Sequence, residues 1–145
     1  TYTVRIRLNK IRVDTKDLAS RIQAMSHQIL GPRVMLGLGE QVITIIQQRT
    51  QSSRDMNGIA FKPYTKKYEK RRVASGRSTI PNLTWSGRML GNMVSKFVET
   101  GKAIVLFSKS QEALKAKGNN NKREFFGIES NREIGSLKTV RILGV

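Results

Sequence analysis

The chemistry most plainly written into this chain is anion binding. Between Lys62 and Arg88 stand eight bases: Lys62, Lys66, Lys67, Lys70, Arg71, Arg72, Arg77 and Arg88. Glu69 is the one acid among them, so the stretch carries +7 in less than a fifth of the chain. Ammonium and guanidinium groups in such a run bind phosphates through charge-assisted hydrogen bonds, without reading sequence. Lys66, Lys67, Lys70, Arg71, Arg72 and Arg77 are the candidates for a face turned to DNA or to an acidic partner. The whole chain repeats the bias, with 27 Lys and Arg against 10 Asp and Glu, a net charge of +17 over 145 residues. A polyanionic partner accounts for that excess, and a solvated basic surface is the plainer alternative. Phe61, Tyr64 and Tyr68 interleave with the bases. Such aromatics either stack on nucleobases or anchor the segment to the core.

Catalytic chemistry is not apparent. His27 is the only histidine, and Cys is absent, which excludes a thiol nucleophile, a Cys-based zinc site and a disulfide framework. No HExxH pattern occurs, and the ten acids are scattered without the pairing a metal nuclease needs. Asp55-Met56-Asn57-Gly58 has part of a calcium-loop pattern but lacks its later oxygen ligands. Gly37-Leu38-Gly39 lacks the third glycine and the preceding strand of a dinucleotide loop. The expectation is a protein that is not an enzyme and carries no metal and no cofactor. No apolar run reads as a membrane span, and the amino end alternates Arg with apolar residues where a secretory leader would be an apolar block.

The elements that must carry the basic segment are those of one domain, 1–145, of the α+β class. Tyr2, Val4, Ile6 and Leu8 alternate with polar residues and predict an amino-terminal strand or arm over 1–13. Leu18, Ile22, Met25 and Ile29 follow helical spacing, and Gly31-Pro32 ends that helix. Pro32 suits the first turn of a second helix running through Val42 and Ile46 to Arg49. Gly37 and Gly39 weaken it unless a neighbour packs closely there. Arg54 to Tyr64 reads as a loop turning at Asn57-Gly58, and Thr65 to Arg72 as a short basic helix. Val73 to Asn82 reads as a mobile loop, so the basic segment with its loop covers 62–82. Ser86 to Met93 is a candidate short helix capped by Ser86. Val94 to Thr100 and Lys102 to Ser108 form a hairpin about Gly101. Ser110 to Lys117 is helical, followed by a flexible turn at Gly118 to Asn121. In the tail, 129–145, Ser130 and Glu133 suggest a capping box and a helix over Asn131 to Ile142, with a strand over Thr139 to Val145 as the rival. The expected architecture is an antiparallel sheet with two longer helices in the amino-terminal half and short helices elsewhere.

Three fragments stand in a recognisable order. Asp55-x-x-Gly58-x-x-Phe61-x-Pro63 follows the second helix. Leu83-Thr84-Trp85-Ser86-Gly87-Arg88-Met89-Leu90 follows the Lys-rich stretch. Arg123-Glu124-Phe125-Phe126 follows the hairpin. From Val42 to Ile128 this order resembles the virion-morphogenesis, or tail-completion, family of Mu-like and P2-like tailed bacteriophages. Phe61 stands where many members have Trp.

The resemblance implies a structural virion protein. Its copies would form a homo-oligomeric ring in the neck or tail top, between the head connector and a tail-terminator or tail-tube protein. Genomic double-stranded DNA would run through the lumen, and assembly would take place in the host cytoplasm, with no membrane involved. The motif residues Asp55, Gly58, Phe61, Pro63, Leu83, Gly87, Leu90, Arg123, Phe125 and Phe126 would be structural, and the basic segment would face DNA or an acidic protein. Two other readings stand beside it: a free, sequence-nonspecific nucleic-acid-binding protein, and a small metal-dependent nuclease.

Overall fold

Helical periodicity at the amino-terminal half becomes two helices joined at a sharp break. The computed structural model describes residues 15–127 and 140–142, with side chains from Leu18 to Gly127. Helix α1 covers Thr15–Ile29 and α2 covers Pro32–Gln51. Gly31 is the extended N-cap of α2, and Pro32 sits in its first turn, where a missing N–H costs nothing. Leu18–Gln51 contains an 18-residue window of mean hydropathy 1.4, apolar enough by composition to cross a bilayer even though polar residues interrupt every apolar run in it. A third of that window is buried in protein, and the Gly31-Pro32 break divides the stretch.

After α2 come the short helix α3 (Lys66–Ala74), a 3-10 turn (Leu90–Asn92), strands β1 (Met93–Glu99) and β2 (Lys102–Phe107), helix α4 (Ser110–Asn120) and strand β3 (Val140–Ile142). The fold is mixed α+β, with the long helices in the amino-terminal half. Strands β1 and β2 form the expected antiparallel hairpin, with Met93 opposite Phe107 and a bulge between Phe97 and Glu99. Strand β3 adds to β2 in parallel, Val140 opposite Ala103, so the sheet is mixed. The strand alternative is therefore the one adopted at Val140–Ile142, because the edge of β2 offers the backbone bonds a lone helical turn lacks. The predicted strand over 1–13 and the proposed capping box at Ser130 lie outside the described residues.

One face of the hairpin makes the core. On β2, Ala103, Val105 and Phe107 point inward in strict alternation. Val42, Ile43 and Ile46 of α2 pack against them with Met93, Phe61, Leu90, Ala116, Phe125 and Phe126. Phe107 and Phe126 stack with centroids 5.2 Å apart. Arg49, 9% exposed in the last turn of α2, donates from Nη2 to the carbonyls of Phe125 (2.9 Å) and Gly127 (2.5 Å). That fork fastens the late Phe125-Phe126 segment to α2 across 76 residues of sequence.

Two local expectations are corrected. Ser86 to Met93 is not a helix from Ser86. Gly87 has φ +76, outside helical space, so regular structure begins only with the 3-10 turn at Leu90. Gly118 to Asn120 is not a flexible turn but the last turn of α4. There Asn119 Nδ2 bonds the Lys115 carbonyl at 2.8 Å, and the backbone N–H of Asn121 bonds Lys117 at 3.1 Å.

The two glycines of α2 separate cleanly. At Gly39 a Cβ would stand 1.9 Å from Ser95 Oγ and 2.7 Å from Ser95 Cβ, so the helix needs glycine to lie on β1. At Gly37 nothing lies within 4 Å. Gly37→Ala is expected to raise stability by roughly 0.5–1 kcal/mol through helix propensity. Gly39→Ala is expected to lower it by about 1–3 kcal/mol through overpacking. Urea midpoints of the two variants measure both; a stabilised Gly39→Ala would contradict the α2–β1 contact.

Candidate nucleic-acid interface

The loop that precedes the basic helix is built by Asp55. Its Oδ1 accepts from the backbone N–H groups of Asn57 (2.9 Å) and Ile59 (2.8 Å), an Asx-type turn. Gly58 supplies the left-handed residue that turn requires, at φ +78. Phe61 is 6% exposed and anchors the loop in the core. Arg123 returns from the far end of the chain and donates to the carbonyls of Lys62 (3.0 Å) and Pro63 (3.3 Å). Its guanidinium also lies 4.9 Å from the Tyr64 ring centroid. The three sequence fragments of the motif thus meet in one place.

Thr65 caps α3, its hydroxyl accepting from the Tyr68 N–H at 3.4 Å. Lys66, Lys67, Lys70 and Arg71 are exposed along α3. Arg72 is not. It is 2% exposed, and its guanidinium binds inward to the carbonyls of Ser78 (2.5 Å) and Thr84 (3.1 Å) and to Asn82 Oδ1 (3.5 Å). Three rings surround it, Tyr64 at 5.0 Å and Tyr68 and Trp85 at 5.9 Å each. A guanidinium this enclosed is out of reach of a partner at the surface, so Arg72 leaves the candidate interface and becomes its foundation.

Arg77 is exposed but engaged. It donates to the Trp85 carbonyl and lies 4.6 Å from the centre of that ring. Arg71 lies 5.2 Å from the same ring while its side chain stays accessible. Tyr64 and Tyr68 pack edge to face at 4.9 Å. The interleaved aromatics therefore serve as anchors under the cations, with Tyr64, Tyr68 and Trp85 only half-buried. The expected mobile loop from Val73 to Asn82 is tied down at Arg77, Ser78 and Asn82 by these arginine bonds. Leu83, at φ +54, is held in its left-handed conformation by its N–H to the Tyr64 hydroxyl at 3.2 Å.

The remaining motif residues take structural positions. Leu90, Phe125 and Phe126 are in the core, Leu83 packs on it, and Gly87 makes the turn before the 3-10 segment. Between the Tyr64 loop, α3, the 83–89 turn and α4 opens a cleft of about 620 Å³. Glu112 of α4 lies in its wall, 6% exposed, with Oε1 on the Lys115 ammonium at 2.9 Å. The sequence gives little sign of this cleft. The signal it does hold is the i, i+3 spacing of Glu112 and Lys115, which any exposed ion pair shares. Among the described residues, no three His, Asp or Glu side chains gather where they could hold a metal ion. Comparison with family models, with characterised proteins and with solved structures finds no match for this chain.

The division of labour within α3 is testable. Arg72→Lys keeps the charge but loses the fork, and should destabilise by about 2–3 kcal/mol in denaturant titration. Lys66→Ala, Lys67→Ala and Lys70→Ala should each stay within about 0.5 kcal/mol of the parent. Equal stabilities for Arg72→Lys and the parent would remove Arg72 from the foundation.

Proposed function

We propose that the chain is a structural subunit of a phage neck or tail-completion ring, whose copies surround the DNA path between head connector and tail. The observation that carries this reading is the uncovered face of α1. Leu18, Ile22, Met25 and Ile29 are 48–60% exposed, and they form one stripe at helical spacing. Val34 and Leu36 of α2 extend the exposed apolar surface. Helix α1 is fastened to the described chain near its carboxyl end, by the Thr100 hydroxyl to His27 Nδ1 (3.1 Å) and by the Gly101 N–H to the Leu30 carbonyl (2.9 Å). A 15-residue helix with an open apolar stripe is marginal in water, and a neighbouring subunit would cover it.

The motif order supports the same reading, since its separated fragments close into one structural unit through Arg123, Phe61 and Phe126. The exposed Lys66, Lys67, Lys70 and Arg71 would then sum around the ring into a positive collar for phosphates. A monomeric nucleic-acid binder would use the same α3 without an assembly. A metal-dependent nuclease would cleave DNA when a divalent cation is added and stop when Asp55 or Glu124 is replaced.

Sedimentation velocity separates these readings. The parent chain should sediment as a closed oligomer, and Ile22→Glu with Met25→Glu should reduce it to a monomer that keeps its helical circular dichroism. A parent that stays monomeric at high concentration while binding DNA tightly would overturn the ring. Replacing Lys66, Lys67 and Lys70 together by Ala should flatten the dependence of log K on log [salt] by up to about 3, nearly one unit for each phosphate no longer neutralised. An unchanged slope would take α3 off the DNA path and favour an acidic protein partner.

A further inference from the structure

The cleft beside α3 combines three features that rarely serve one ligand. Its wall holds the half-buried rings of Tyr64, Tyr68 and Trp85. Lys115, Lys122 and Arg123 line it too, so with Glu112 it stays net positive and favours an anion. It also contains a carboxylate with an unmet need. Glu112 Oε2 is closed to water and has no hydrogen-bond partner among the described residues, while Oε1 is held by Lys115. A buried acceptor left unpaired costs free energy that a donor would recover. Reaching Oε2 from the cleft takes a turn of the soft terminal carboxylate torsion, with Lys115 keeping the other oxygen.

An acidic peptide would satisfy the cations and leave Glu112 facing a like charge. A cationic side chain would satisfy Glu112 and meet the positive rim. A nucleotide answers both, because its phosphate is anionic while its base is flat and carries N–H donors. The volume, about 620 Å³, lies within the roughly 300–1,000 Å³ typical of small-ligand sites.

We propose that this cleft takes one unpaired nucleotide of a nucleic-acid strand, its exocyclic amine donating to Glu112 and its base lying against the aromatic wall. Its phosphate meets Lys115, Lys122 and Arg123, which line the same cleft. Cytosine fits, since its N4 amine faces the carboxylate as acidic side chains meet it elsewhere. Thymine does not, because the carbonyls flanking its ring N–H would oppose the carboxylate oxygens. The inference rests on the nucleic-acid part of the proposed function, and it adds an unpaired base to a surface that otherwise meets only backbone.

Trp85 is the only tryptophan of the chain, so its fluorescence reports on the wall of this cleft and on the arginines packed against that ring. The test titrates the full chain with single-stranded dC and dT hexamers, read by Trp85 emission and by the anisotropy of a labelled strand. The dC hexamer should quench Trp85 and bind about tenfold tighter than dT. Glu112→Leu should erase that preference. Ser86→Phe, an exposed position at the cleft, should block the Trp85 response if Glu112→Leu fails to fold. Equal affinity for the two hexamers, or binding by anisotropy with Trp85 emission unchanged, overturns the nucleotide site and leaves the phosphate-binding collar standing. Binding of neither hexamer nor a blunt duplex overturns both.

Discussion

A guanidinium does not shed its proton, so burying one obliges the chain to bring it partners. Arg72 is that obligation in this protein. Its oxygen partners are all neutral: the carbonyls of Ser78 and Thr84 and the amide of Asn82. To deliver them, the chain after α3 must fold back over the helix it has just left. Tyr64, Tyr68 and Trp85 then fill the remaining faces, where ring quadrupoles favour the cation. The position of Trp85, the left-handed Leu83 and the mouth of the cleft all follow from that closure. Four exposed cations on a nine-residue helix would otherwise project from a poorly held element. With Arg72 as a peg, they sit on a fixed platform.

Arg49 performs the same kind of work at the other end of the fold. It bonds to backbone carbonyls of Phe125 and Gly127, near which the chain must reverse to place two phenylalanines in the core. Arg123 does so a third time, at the carbonyls of Lys62 and Pro63. Part of the positive charge is thus internal cement. Carbonyl oxygens are abundant wherever loops cross, and the planar fork of arginine reaches two at once. The exposed lysines of α3 stay at the surface, where their charge faces outward.

This division explains what was legible in the sequence. Helix α2 was readable because Val42, Ile46 and Arg49 repeat at helical spacing, and the hairpin because Gly101 stands between two β-branched runs. The Asp55–Gly58 turn was readable because its hydrogen bonds are local. Arg72 was not, since Lys70, Arg71 and Arg72 look alike in a row and only the loop ten residues on distinguishes them. The third strand was obscured for the same reason: Val140–Ile142 is extended by its pairing with β2, a partner almost forty residues away. Glu112 was hidden behind an ordinary ion pair with Lys115. Local rules identify elements; the site is made where distant segments cross.

The charge also constrains how copies of this chain can meet. Two bodies of +17 repel, and salt at physiological strength screens that repulsion only beyond about 8 Å. A contact must therefore be both apolar and locally neutral to succeed. Between Leu18 and Ile29 the only formal charge is Arg21, whereas the segment from Lys62 to Arg88 holds eight bases. Helix α1 is thus where approach costs least and burial returns most, and α3 is where two copies would avoid one another. The proposed assembly, built on α1, would separate the basic segments around a circumference. A polyanion threading its centre would then offset the repulsion that the subunits retain, which would tie ring stability to the presence of nucleic acid. In the proposed ring the uncovered stripe and the exposed cations would act as one design: the first would bring the copies together, and the second would keep an anionic axis between them.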